Sequence, residues 1–300
     1  METIYHADDF GITPDQSDRI LSCSSACGGS GALNSLSILV NAPRFEECAA
    51  ALDGCDEGLL RSLHVNVVEG HCCANPRDVE LLVDERGMFR RGFAGLLAAS
   101  AGPSRAALRE QLETEIAAQL DAYLARFPDQ RERLRIDSHQ HFHLIPVVWD
   151  AVMAAVRSRG CTLVFVRIPA EPLLPFLQTP SVWFKIPPIN WVKHLLLNFL
   201  WRFRKKRAGK DGIADKSAVF CGINFSGCMD AERVKAVLPA FERYARTRGR
   251  ALELLFHPGG YEDVSDALNP NLEGFVAFYT SPNRTAEAEA LRVLEGAAQT

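Results

Sequence analysis

The chain reads as an α/β protein built on a largely parallel sheet, and three observations predict it. Short β-like runs alternate with helical stretches through most of the 300 residues. The polar clusters Asp8-Asp9, His64-Asn66, His139 to His143, Arg167 and His257 each stand where one of those β-like runs ends. A composition that is 47% hydrophobic and 23% charged supplies the apolar surface for a substantial core. In a closed parallel barrel the C-terminal strand ends share one rim, where active sites are built.

The first strand, Thr3-Ile4-Tyr5, runs into His6-Ala7-Asp8-Asp9-Phe10-Gly11. Neighbouring side chains on a strand point to opposite sides, so Asp8 and Asp9 are expected to do different work. Thr13 and Pro14 are an N-cap and first-turn proline for a helix over 14–21. Leu33 to Val40 alternates as a second strand, and Phe45 to Leu52 has helical character. Leu59 to Val68 reads as a third strand, with His64 and Asn66 on one side. Ser104 caps a helix whose Leu108, Leu112, Ile116, Leu120 and Leu124 step by four as one apolar stripe, ending near Phe127-Pro128.

Leu134 to His143 is expected as a strand that leaves the core with Asp137, His139, His141 and His143 on one face. A helix over 149–159, a strand over 162–168, a strand near 218–223, a helix over 231–246 and a strand over 252–256 continue the alternation. Phe278-Tyr279 reads as a last short strand before a helix near 285–294. The stretch from about 172 to 215 breaks the pattern. Five prolines between Pro172 and Pro188 precede an apolar run from Trp191 to Trp201 and the basic Arg202 to Arg207. It reads as an insertion or lid within a single domain over 1–300. The apolar run is too short to span a bilayer. It suits a lid or an oligomer contact, and with its cations it suits an anionic surface or a lipid-linked substrate.

A net charge of -4 and a pI near 6.1 give no reason to expect nucleic acid as a partner. No basic region followed by an apolar run opens the chain, and the nine cysteines contain no CxxC pair. Both features lead to the expectation of reduced thiols in a cytoplasmic protein.

One carboxylate and two imidazoles from separate strands make a divalent-metal site with positions left open for water and substrate. Asp9, His64 and His139 supply that set, and ligands of this type suit zinc or manganese. A set of His139, His141 and His143 alone is conceivable, but neighbours on one strand face surround an ion poorly. His257, before Pro258-Gly259-Gly260, either anchors a loop or acts as a general acid. Arg167 orients Asp8, contacts substrate or forms a salt bridge at the rim. No phosphate loop, nucleophile elbow, HExxH motif or HxD pair of an iron oxygenase is present.

Taken together, Ala7-Asp8-Asp9-Phe10-Gly11, Leu63 to Gly70, Asp137 to His143, Val166-Arg167-Ile168-Pro169 and Glu253 to Gly259 resemble the YdjC-like (ChbG/HpnK) carbohydrate deacetylases. The resemblance implies a distorted (β/α) barrel of the polysaccharide-deacetylase type and hydrolysis of the acetyl group of an N-acetylated sugar. It implies Asp8 as proton acceptor, Asp9, His64 and His139 as metal ligands, magnesium as the ion and His257 as the acid. Asn66, Glu69, His141 and His143 then flank the ligands or contact substrate. His6 stands where an Asn or Thr is commoner in that family, and Pro172 to Gly209 follows no pattern of it. The residues alone leave two other readings open: hydrolysis of a different bond, such as a phosphoester or the N-acyl group of a lipid-linked glycan, and a non-catalytic sugar- or membrane-binding protein. A homo-oligomer is compatible with either.

Overall fold

A computed structural model describes residues 2–210, 212–213, 215–263, 268–269 and 273–298. In chain order its elements are β1 (Thr3–Phe10), α1 (Pro14–Leu21), β2 (Ser35–Ile38), α2 (Phe45–Ala50), β3 (Leu60–Val65), α3 (Phe93–Ala99), α4 (Arg105–Arg126), β4 (Leu134–Ser138), α5 (Pro146–Ser158), β5 (Leu163–Val166), α6 (Leu173–Leu177), α7 (Pro188–Lys210), β6 (Val219–Cys221), α8 (Ala231–Arg246), β7 (Leu252–Phe256), α9 (Glu273–Tyr279) and α10 (Asn283–Ala298).

The seven strands form one sheet in the order β5-β4-β3-β2-β1-β7-β6, and every pairing is parallel. The sheet is buried at its centre, with β2 and β7 inaccessible along their whole length. The sheet curls but does not close as a strand ladder between β5 and β6. The Val166 N–H there donates to the Lys216 carbonyl, in the segment that leads into β6, at 2.8 Å. All C-terminal strand ends consequently lie along one rim.

The helix signals act where they stand. Thr13 Oγ1 accepts from the Gln16 N–H at 3.2 Å, and Pro14 opens α1. The α4 stripe is buried against the core from Leu108 to Leu124. Ser104 holds the N-cap position of α4 without a side-chain capping bond.

Four expectations are corrected. The strand at Leu134 stops at Ser138, and His139 to Leu144 turn as a short 3₁₀ segment in which Gln140 (φ 49°) and His141 (φ 61°) are left-handed. Asp137, His139, His141 and His143 therefore share no strand face. Phe278 and Tyr279 end helix α9 and are not a strand. Among the cysteines, Cys27 and Cys55 form a disulfide and seven remain free. The turns carrying the bonded pair are also tied by the Asp56 N–H to the Ala26 carbonyl at 2.8 Å, a proximity that spacing does not reveal. Finally, Asp8 and Asp9 do not follow strand alternation. Three steps along β1 from Ala7 to Phe10 oppose two along β2 from Leu36 to Ile38, and Asp9 occupies the bulge at φ 67°. Gly11 follows at φ 111°, where a Cβ would meet the Leu39 carbonyl oxygen at 2.9 Å.

Candidate active site

The bulge re-aims Asp9 across the rim toward β3 and β4. Its backbone carbonyl is fixed by Gln16 Nε2 of α1 at 2.7 Å. One Asp9 oxygen lies 2.9 Å from His139 Nδ1 and 3.2 Å from His64 Nε2. One donor atom from each of Asp9, His64 and His139 falls within 4.8 Å of the others, and all three side chains are buried. The rest of each imidazole is already committed. His64 Nδ1 is hydrogen-bonded to Asp137 at 2.5 Å, which leaves His64 Nε2 buried, facing Asp9, without a hydrogen-bond partner. His139 Nε2 meets Glu69 at 3.1 Å. A carboxylate behind each histidine is the arrangement that fixes a metal-ligating imidazole.

The electrostatics agree. Burial disfavours charge on His64 and His139, yet Asp8 and Asp137 pull His64 up to about 9, and Asp9 with Glu69 pulls His139 up to about 10. Burial likewise raises the Asp9 carboxyl, and the two imidazoles outweigh it and hold Asp9 well below the usual range. This pocket is built around positive charge between its side chains, so the residues present fit a divalent cation.

Asp8 belongs to a different network. Arg167, wholly buried, reaches both Asp8 oxygens at 2.9 Å, Glu253 at 2.9 Å and Asp137 at 3.2 Å. Despite burial, Arg167 and His64 keep Asp8 well below its ordinary pKa, so it is ionised. His6 lies 3.2 Å from Asp8 and is held by Ser35 at 2.8 Å and Ser37 at 2.6 Å. Ser37 also bonds Asp137. His6, Asp8 and Asp137 are a second cluster of ligand type, but both carboxylates already share the Arg167 cation.

The remaining candidates sort by position. His257, past β7, lines the cavity, with its backbone N–H on Glu287 at 2.5 Å and its Nδ1 3.8 Å from the same carboxylate, without a hydrogen bond. Burial lowers its pKa, so the neutral ring predominates. His141 also lines the cavity with Nδ1 unpartnered. Asn66 does not reach it: its Oδ1 accepts from the Val68 and Glu69 N–H groups at 3.1 and 3.0 Å, and this shapes the turn that delivers Glu69.

His143 lies behind the site. Its Nε2–H donates to the Arg167 carbonyl at 2.8 Å, and its Nδ1 faces Ser138 Oγ at 2.6 Å. Burial pushes its pKa down to about 4. An unfolded histidine takes a proton first, near pH 6.5. The stabilisation from His143 is therefore complete above about pH 6.5 and is lost as the pH falls through 4, about 3 kcal/mol in all. Nitrogen NMR should find His143 neutral and protonated on Nε2 down to about pH 4. A titration near 6.5 contradicts this placement.

Sequence reasoning missed His6, Ser35, Ser37, Glu253 and Tyr279. His6, Ser35 and Ser37 carried a signal, because His6 and Asp8 are two apart on β1 and Ser35 and Ser37 two apart on β2, whereas Glu253 is brought to Arg167 from β7 by the fold. Tyr279 was hidden by the strand reading of Phe278-Tyr279.

The centre lies at the base of a cavity of about 870 Å³. Its floor is Asp8, Asp9, His139 and His257, one wall is Phe275, Phe278 and Tyr279 of α9, and the other is Ile189, Val192 and Leu196 of α7.

A sequence profile of the YdjC-like protein family matches residues 3–295. The chain belongs to the YdjC-like family. Among curated relatives, a carbohydrate deacetylase of Mus musculus is 31% identical over 170 residues, 55% of this chain and 49% of that protein. One of Thermoanaerobacter pseudethanolicus is 36% identical over 90 residues, 30% of this chain and 34% of that one. A chitooligosaccharide deacetylase of Escherichia fergusonii is 27% identical over 160 residues, 53% and 57% of the two chains. This YdjC-like chain thus spans about half the length of the curated relatives it matches, or less. A crystal structure of a proposed cellobiose-phosphate cleavage protein from Enterococcus faecalis superposes with a TM-score of 0.64 over 97% of this chain and 90% of that one. At 18% identity that likeness establishes the shared fold.

Proposed function

We propose that this YdjC-like protein is a divalent-metal-dependent hydrolase that removes the acetyl group from an N-acetylated amino sugar, yielding acetate and a free amine. The observation that carries the reading is the convergence of Asp9, His64 and His139 within 4.8 Å, next to the ionised Asp8, at the base of a small-molecule cavity. The names of the curated relatives supply the bond and the substrate class.

Asp9, His64 and His139 would hold the ion. When bound, it supplies Lewis acidity, polarising the acetyl oxygen and raising the acidity of water. Asp8 is the proton acceptor for the attacking water. Its low basicity suits water that has been made acidic and would not deprotonate ordinary water. Arg167 and His6 keep that carboxylate ionised and aimed, and Ser37 holds His6 in place. His257, within electrostatic reach of Asp8 and Asp9, serves the departing amine as acid only after its neutral ring has taken up a proton, the one released by the attacking water. The aromatic wall on α9 offers flat apolar faces to a sugar ring. The residues leave the ion open between magnesium and the softer zinc or manganese.

Acetate release from chitooligosaccharides, run beside phosphate release from sugar phosphates, tests the reaction. Acetate alone is expected. Asp8→Asn should retain the metal and lose about 10²–10⁴ in kcat. An Asp8→Asn enzyme that binds metal and stays fully active removes Asp8 from its role.

A further inference from the structure

Helix α7 has two apolar faces, and the fold uses only one. Its inner side is fully engaged: Asn190 donates to the Asn224 carbonyl at 3.1 Å, His194 meets Glu171 at 3.3 Å, and Leu197 and Leu200 are buried. Ile189, Val192, Leu195, Phe199 and Phe203 form a second stripe at helical spacing, each 58–67% exposed. The stripe is about 21 Å long at 1.5 Å per residue. Phe184, wholly exposed, continues it just before α7, and three exposed leucines do so on α6, which is tied to α7 by Phe176 against Trp191. A patch of this extent on a folded chain marks an interaction surface.

The charges indicate what it meets. From Pro172 to Lys210 the sequence has no Asp or Glu and eight Lys or Arg residues. Lys193, Arg202, Lys205 and Lys206 are exposed around the stripe. A second copy docked about a two-fold axis would set these cations against their own images. An anionic lipid surface neutralises them while taking up the phenylalanines and leucines. No described helix is long and apolar enough to cross a membrane, so the geometry is that of a helix lying in the interface.

We propose that the α6–α7 face seats this protein on an anionic bilayer, with α7 parallel to the membrane plane. Ile189, Val192 and Leu196 also line the cavity, so its mouth opens beside the lipid surface.

Co-sedimentation with vesicles tests the proposal without reference to catalysis. The wild-type chain should pellet with vesicles of phosphatidylcholine mixed with phosphatidylglycerol, much less with phosphatidylcholine alone, and more weakly at high salt. Leu195→Glu/Phe199→Glu should reduce binding at least about ten-fold, and Lys205→Glu/Lys206→Glu should remove the preference for anionic lipid. All four side chains are exposed, and unchanged circular dichroism confirms folding. Equal binding by the wild type and the double glutamate variant at 195 and 199, or no binding by the wild type, overturns the proposal. So does a stable dimer in vesicle-free solution that this variant splits, because the patch then belongs to a second copy.

Discussion

Asp9→Ala and His64→Ala should each lose the bound divalent ion and turnover together. Each residue offers one of only three protein donors in the Asp9–His64–His139 group, so removing one leaves two, too few to retain a labile ion. The Lewis-acid contribution is worth several kcal/mol, so turnover should fall by about three orders of magnitude or more. Asp137→Asn should act more gently. Asp137 touches His64 Nδ1 and no position open to the ion, and loss of such a supporting carboxylate typically costs about 10–100-fold in metal affinity. Affinity should also rise with pH, because both imidazoles must release protons held up to about 9 and about 10. Metal content after dialysis, measured beside acetate release, checks all of this. An Asp9→Ala protein that keeps its metal contradicts it.

Arg167→Met should damage the fold as much as the chemistry. One buried guanidinium is shared by Asp8, Asp137 and Glu253. Without it three buried carboxylates lose the guanidinium they share, and breaking such a buried ionic group costs about 3–5 kcal/mol. The melting temperature should drop on the order of 10 °C. Arg167→Lys should recover only part of this, since a single ammonium cannot span three partners in fork geometry. The acid limb should move as well. Burial opposes the Asp137 charge, but Arg167 and His64 hold its pKa down to about 2. Its stabilisation is therefore complete above about pH 4 and is lost as the pH falls through 2. In Arg167→Met that carboxyl rises, and acid unfolding should begin at higher pH. An unchanged melting temperature would show that the three carboxylates find another partner.

What was legible in the sequence follows from which signals are local. Thr13-Pro14, the Leu108 to Leu124 stripe and the β7 run from Leu252 to Phe256 are set by neighbours within a few residues, and the structure has them as read. The parallel sheet followed from the alternation of those elements, and the rim from the polar residues at their ends. The two failures at the rim, over the Asp8-Asp9 pair and over His139 to His143, share one cause. Asp9, Gln140 and His141 take left-handed backbone without being glycine, so nothing in the sequence marks the chain's departure from strand geometry there. Those three residues decide where Asp9 and the histidines point. The Arg167 network was half legible: the arginine was noted, but Glu253 and Asp137 reach it from β7 and β4, strands whose positions across the rim only the fold supplies.

The most direct measurement is a crystal soaked with manganese and recorded at an anomalous wavelength. One ion is expected in direct contact with Asp9, His64 Nε2 and a His139 nitrogen, with Asp8 beside it and still paired to Arg167. An anomalous peak among His6, Asp8 and Asp137, with none at Asp9, would contradict the assignment of this centre.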